Sequence, residues 1–293
     1  MAQPSSSLNI LHDVLVRSRD VLEKILSYEQ GIDLYDTAVK ASPFPDRSIA
    51  HHRGLWIKNV GGDLAAADEQ LQRALDVPDY PGSARDEPRE YIYTSLAATV
   101  LAQVRNGEID RAVGFERVLS HLQRANNPEH FNANHSHVMA RTLFEMAQIG
   151  GDDRDVLRLG CLGAAMSEIE RSLQMIGAAG RNAIRYQTAL GYFEDLQRRV
   201  VDTMGEIQDL KDVAERLFES SKSQIGFEVY ARTELAKAIQ ANSGSAYHAV
   251  SELLAAFFAR IASSELTPSP DLRAVRVDLV ARWRLQQAKG AVD

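Results

Sequence analysis

Apolar side chains return every three or four residues along nearly the whole chain, and that spacing belongs to the α-helix. Leu8, Leu11, Val14, Leu15, Leu22 and Ile25 make the first such stripe, over 8–26. Further helices are predicted over about 28–41, 48–60, 64–77, 89–105, 109–124, 129–149, 156–176, 182–204, 210–220, 224–241, 246–263 and 270–287. Each run ends in turn chemistry: Pro43 and Pro45, Gly61-Gly62 with Asp63 placed to cap the next helix, Asn106-Gly107, Asn127-Pro128, and Gly150-Gly151-Asp152-Asp153. Only 9 prolines and 18 glycines interrupt the sequence, and aromatics are just 7%, a balance that suits close helix–helix packing better than a sheet. The expected class is all-α, about a dozen helices joined by short turns into stacked αα-hairpins. Residues 78–88 form the longest non-periodic stretch and are expected to be a loop or insertion.

Self-similarity sharpens this. Gly62-x4-Ala67-x3-Leu71-x2-Ala74 is matched by Gly244-x4-Ala249-x3-Leu253-x2-Ala256, while Gly107-x4-Ala112 repeats the first half and departs at Glu116 and Leu119. Tyr35-x2-Ala38-x4-Pro43 and Ala214-x3-Phe218 are further partial copies. Glycine permits a chain reversal, small residues let the second helix lie close, and a larger residue reaches the next hairpin. This pattern, best seen over 49–78 with Gly54, Trp56 and Pro78, resembles the tetratricopeptide repeat. Trp56 follows Gly54 rather than preceding it, and Pro78 arrives one residue early. The resemblance implies an αα-hairpin repeat solenoid, a degenerate right-handed superhelix, with repeats over 1–126 and more divergent ones over 127–293. Residues Leu34-Tyr35-Asp36-Thr37-Ala38-Val39, Ile49-Ala50-His51-His52-Arg53-Gly54 and 67–78 are also similar to the C-terminal repeat arrays of bacterial STAND-type signal-transduction NTPases. Some of those act in antiviral defence, with the array as sensor. The nucleotide-binding run G-x-x-x-x-G-K-[ST] does not occur in this chain.

The net charge of -7 offers no overall basic excess for nucleic acid. No apolar run approaches the ~20 residues of a membrane span. The polar, Ser-rich start lacks the pattern of a secretory leader, so a cytoplasmic location is expected. Cys161 is the single cysteine, which excludes an internal disulfide and a thiolate metal cluster. The expected function is therefore non-enzymatic and cofactor-free: a scaffold binding a protein or peptide in a concave groove, or alternatively the ligand-sensing module of a larger NTPase. The first helix of each hairpin would line the groove, which nominates Arg53, Trp56, Lys58, Asn59, Tyr93 and Asn134, with Trp56 equally suited to the core. Arg181 and Arg185, four apart, would share a face and could grip a carboxylate or phosphate.

Other chemistry is weaker. His130, His135 and His137 have poor offsets for two ligands on one helical face. His51 and His52 are adjacent, so one is expected to point inward and the other outward. Glu168 and Glu170 lie on different faces and suggest ordinary solvated or salt-bridged positions. Asp152-Asp153-Arg154-Asp155 lacks the later ligands of a calcium loop. Ser220-Ser221-Lys222-Ser223 has no supporting nucleophile motif, and Cys161 sits in an apolar small-residue run that suits a buried thiol.

Overall fold

Helix succeeds helix, with caps and turns where the local chemistry demands them. The computed structural model describes residues 6–42, 45–78, 87–127, 132–149, 155–178, 184–207 and 209–290. Among them are fourteen α-helices, one π-helical turn and no strand. The chain divides into two units, Met1–Thr142 and Leu143–Asp293, with the division inside one helix.

The first unit contains α1 (Ser6–Arg17), α2 (Arg19–Ile25), α3 (Tyr28–Ala41), α4 (Arg47–Trp56), a π-helical turn (Ile57–Gly61), α5 (Leu64–Asp76), α6 (Arg89–Arg105), α7 (Arg111–Ala125) and most of α8 (Ala133–Ala147). The single stripe expected over 8–26 is broken at Ser18 into two helices. Ser27 and Gln30 form a capping box ahead of α3, and Asp46, Asp63 and Asp110 accept backbone N–H groups at the starts of α4, α5 and α7. Each removes a donor that the first turn cannot satisfy. Gly62 and Gly107 take positive φ, 72° and 75°, at the reversals before α5 and α7. Along α3–α7 each helix packs on the next in sequence, and α1 packs on both α3 and α4. Leu15, Tyr35, Ala38, Ile49 and Trp56 make one core cluster; Leu71, Ala74, Ile92 and Leu96 make another.

The glycine-based repeat needs correction. After Gly62, Ala67, Leu71 and Ala74 are all buried, as expected. After Gly107, however, Ala112 and Glu116 are exposed, and after Gly244, Ala249 and Ala256 are exposed. Gly244 is already the first residue of its helix, and the left-handed residue before it is Asn242. The shared register in the first unit starts instead from the capping aspartates. Asp63-x3-Ala67-x3-Leu71-x2-Ala74 matches Asp110-x3-Gly114-x3-Val118-x2-His121, and every residue after the cap in both series is buried. A cap fixes which residue is first in the helix, and therefore which face turns inward.

The second unit contains α9 (Asp155–Ala178), α10 (Ile184–Gly205), α11 (Leu210–Ser221), α12 (Ile225–Ala241), α13 (Gly244–Ala262) and α14 (Pro270–Gly290). Its packing is not purely sequential: α9 meets α10, α11 and α12, and α12 meets α11, α13 and α14. Phe218, Phe227 and Phe257 form a run of ring contacts at 4.9 and 4.2 Å through its core. Cys161 is buried on α9, and burial raises its thiol pKa, as suits an inert structural position. No helix is long and apolar enough to cross a membrane among the described residues.

Candidate functional site

The first unit holds a cavity of about 530 Å³ bordered by α2, α4, the π-helical turn, α6 and α8. Its position arises from the packing. Trp56 ends α4 pointing into the core, fully buried, where it donates its indole N–H to the Tyr28 carbonyl at 3.2 Å and meets the Tyr35 ring at 6.0 Å. With that side chain seated, the adjoining π-helical turn presents Lys58 and Asn59 to the cavity. Arg47, also buried, donates to the Val77 carbonyl at 2.6 and 3.2 Å and to the Glu87 carbonyl at 3.4 Å. One guanidinium thus ties the end of α5 to the residue shortly before α6, and brings the Glu87 carboxylate over α4.

Among the described residues, four full cations reach the cavity, Arg19, Lys58, Arg105 and Arg141, against a single carboxylate, Glu87. This concentration is notable in a chain of net charge -7. Burial, with the nearby charges of Arg19 and Arg141, lowers the Lys58 pKa to about 8 despite the opposing field of Glu23. Burial likewise holds His137 at about 4, with help from Arg141. Asn59 donates to Glu23 at 2.9 Å, and Arg19 pairs with Glu23 at 3.0 Å, so the α2 side carries some compensating charge.

His51 and His52 both correct the expectation that one would face inward and the other outward. They are 3% and 8% exposed, and both approach Glu87. His51 Nδ1 lies 2.8 Å from Glu87 Oε2 and His52 Nε2 lies 3.8 Å from the same oxygen. Successive helical residues diverge by about 100°, but a third group placed between them can touch both. The other ring nitrogen of His51 is 2.8 Å from the Ser95 hydroxyl on α6. Burial disfavours an ionised Glu87, yet contact with His51, the charges of both histidines and the Ser48 hydroxyl outweigh it and hold the carboxyl below its ordinary value. Burial dominates at His52 and lowers its pKa to about 4, against the attraction of Glu87.

Of the nominated residues, Lys58, Asn59 and Asn134 line this cavity. Trp56 is a core residue and does not face a groove. Arg53 is committed to Asp36 at 3.0 Å and Gln70 at 2.7 Å. Tyr93 stacks on His121 at 6.2 Å beneath the Arg124 guanidinium, away from the cavity lining. Arg181, His130 and Asp152-Asp153-Arg154 lie outside the described residues, as do the side chains of Arg185, Ser220 and Ser221. His135 bonds the Leu122 carbonyl at 3.0 Å while His137 borders the cavity, so the two do not converge. No protein-family model, curated protein or solved structure matches this chain. The site must be understood from its own chemistry.

Sequence reasoning missed Arg19, Arg105 and Arg141 and the pairing of Glu87 with the histidines. The cations stand on three different helices, far apart in sequence, and no local spacing links them. Glu87 belonged to the segment 78–88, where no helical period set its direction.

A second buried charge cluster lies in the second unit. Arg232 donates to both carboxylate oxygens of Glu170 on α9, and to Glu228 at 3.0 Å on its own helix; Asp271 at the start of α14 adds to the field. Glu168, by contrast, pairs locally with Arg171 at 2.6 Å. Burial raises Glu228 to about 7, even with Arg232 beside it, and Asp271 and Glu170 push the same way. The guanidinium already satisfies this cluster's demand for a cation.

Proposed function

We propose that the chain is a binding module without catalytic activity, whose first unit holds the anionic group of a ligand, a phosphate or carboxylate, in the cavity between α4, α6 and α8. The observation that carries this reading is the gathering of Arg19, Lys58, Arg105 and Arg141 around Glu87, the one carboxylate among the described lining residues. An anion there would offset the burial, and the repulsion from Arg19 and Arg141, that together lower the Lys58 pKa. The volume is within the range of small-molecule sites. Guanidinium groups suit oxyanions because their planar donors bond two oxygens at once.

The architecture we propose for the first unit is a tetratricopeptide-like pair of hairpins, α4–α5 and α6–α7, supported by the common cap-to-core register and by sequential packing. A sensing role, with the anion as trigger or as the anchoring group of a peptide, accords with the resemblance to the sensor arrays of signal-transduction NTPases. Inorganic pyrophosphate is a suitable probe for calorimetry on the chelator-treated chain. We expect saturable binding that weakens at least tenfold in Lys58→Met and in Arg141→Met. It should also fall with added salt, because released counterions and screening oppose it. Absence of saturable binding, or binding by both variants as tight as by the unaltered chain, would refute the anion site.

A further inference from the structure

We infer that His51, His52 and Glu87 form a zinc site on the wall of this cavity, with an open coordination position toward its interior. The three residues each offer a ligand atom, and these atoms lie within 4.8 Å of one another. Two imidazoles and a carboxylate are a donor set that Zn²⁺ accepts, leaving a fourth tetrahedral position for water or a ligand oxygen.

The spacing of the donors suits a metal. Tetrahedral ligands about 2.0–2.1 Å from zinc stand roughly 3.3 Å apart. The separations of 2.8 Å for His51 Nδ1 to Glu87 Oε2 and 3.8 Å for His52 Nε2 to the same oxygen lie on either side of that value, and all three ligand atoms fall within 4.8 Å of one another. The closer pair approaches at 2.8 Å as an ion pair, both atoms buried, without the alignment of a directed hydrogen bond. A ring nitrogen and a carboxylate oxygen held this close can exchange a shared proton for a shared metal cation.

The surroundings restrict motion. Both histidines are on α4, with Arg47 one turn earlier holding the Glu87 backbone by its carbonyl. Ser95 Oγ, 2.8 Å from His51 Nε2, is placed to accept the ring proton and leave Nδ1 as the ligand. His51, His52 and Glu87 all line the cavity, so the vacant position opens onto it. Zinc adds positive charge to a wall that already carries cations, and Glu87 neutralises only part of it. Metal and anion should therefore assist one another. This coupling rests on the proposed anion site, whereas zinc binding by the triad does not.

The test is a Zn²⁺ titration of the full chain, stripped with chelator, in phosphate-free buffer near pH 7.5. We expect one equivalent to bind with micromolar or tighter affinity. Glu87→Gln preserves size and should weaken binding at least tenfold while leaving the metal-free melting temperature within a few degrees. The double variant His51→Gln/His52→Gln should abolish the site. X-ray absorption at the zinc edge should report two imidazole nitrogens with oxygen completing the shell. Binding weaker than about 100 µM, unchanged affinity in Glu87→Gln, or retention of the equivalent in the double variant would each overturn the assignment. Pyrophosphate is titrated separately, with and without zinc. If the metal binds and pyrophosphate does not, the anion reading fails while the zinc site stands; if both bind, each should tighten the other by the same factor.

Discussion

The two units bury ionisable groups in opposite ways. In the first, His51, His52 and Glu87 face a cavity and leave lone pairs poorly used. In the second, Glu170, Glu228 and Asp271 surround Arg232, whose guanidinium sits where a metal would otherwise be drawn. Both trios have the ligand spacing of a cation site, but only one has its cation built into the chain. Proximity of donors is thus a poor guide on its own. A binding site differs from an internal brace in whether the protein has already met the electrostatic demand.

The units can be set against each other through the glycines that let their helices approach. A Cβ on Gly31 would overlap the indole of Trp56, which is boxed in by its hydrogen bond and by Tyr35. A Cβ on Gly163 would overlap Ile225 Cγ2, but that side chain is at the first turn of α12 and is partly exposed. Gly31→Ala is therefore expected to cost about 3 kcal/mol and Gly163→Ala about 1 kcal/mol. Urea denaturation of each variant would measure this; a larger loss at Gly163 would contradict the picture of a rigid tryptophan seat.

Arg232→Met tests the internal brace. It strands Glu170 and Glu228 beneath the surface, and we expect a loss of about 2 kcal/mol at pH 7.5, less than a fully buried pair would show because the arginine is about a third exposed. The loss should shrink at pH 5.5, where Glu228 takes up a proton. A loss independent of pH would show that Arg232 acts through packing alone.

Acidity should then separate the units by sign. The folded pKa of Glu228, about 7, exceeds the ordinary glutamate value of 4.5. Its protonated form favours folding, fully so below 4.5, and that advantage is lost as pH rises through 7. His137, at about 4 instead of 6.5, behaves oppositely: its contribution is present above 6.5 and lost as pH falls through 4. Between about pH 7 and 5 the second unit should gain protection and the first should lose it, by at most about 1.4 kcal/mol per pH unit for each group. Amide exchange on α8 and α12, corrected for intrinsic rates, would display the divergence. Parallel changes in both helices would remove the contrast; Glu228→Gln should flatten the slope of the second unit, and His137→Asn should reduce that of the first, where His52 contributes with the same sign.

Helical class and the positions of the helices were legible because the three- and four-residue apolar period reports burial directly. Turn glycines were a less faithful ruler. Gly62 and Gly107 do reverse the chain, but Asp63 and Asp110 decide the register, since Glu108 and Ile109 lengthen the second turn without altering the helix beyond the cap. The apparent copy at Gly244 kept the spacing and lost the burial. At the site, Lys58, Asn59 and Asn134 were accessible to reasoning about helix faces. The mutual approach of His51 and His52 was not, because the face rule considers one helix alone and Glu87 arrives from another part of the chain.

Arg47 has a wider consequence. By grasping carbonyls at Val77 and Glu87 together, it separates the placement of the acidic ligand from the number and identity of residues between them. Insertions or deletions at 79–86 would then meet little selection from the triad, while replacement of this one basic residue would meet a great deal.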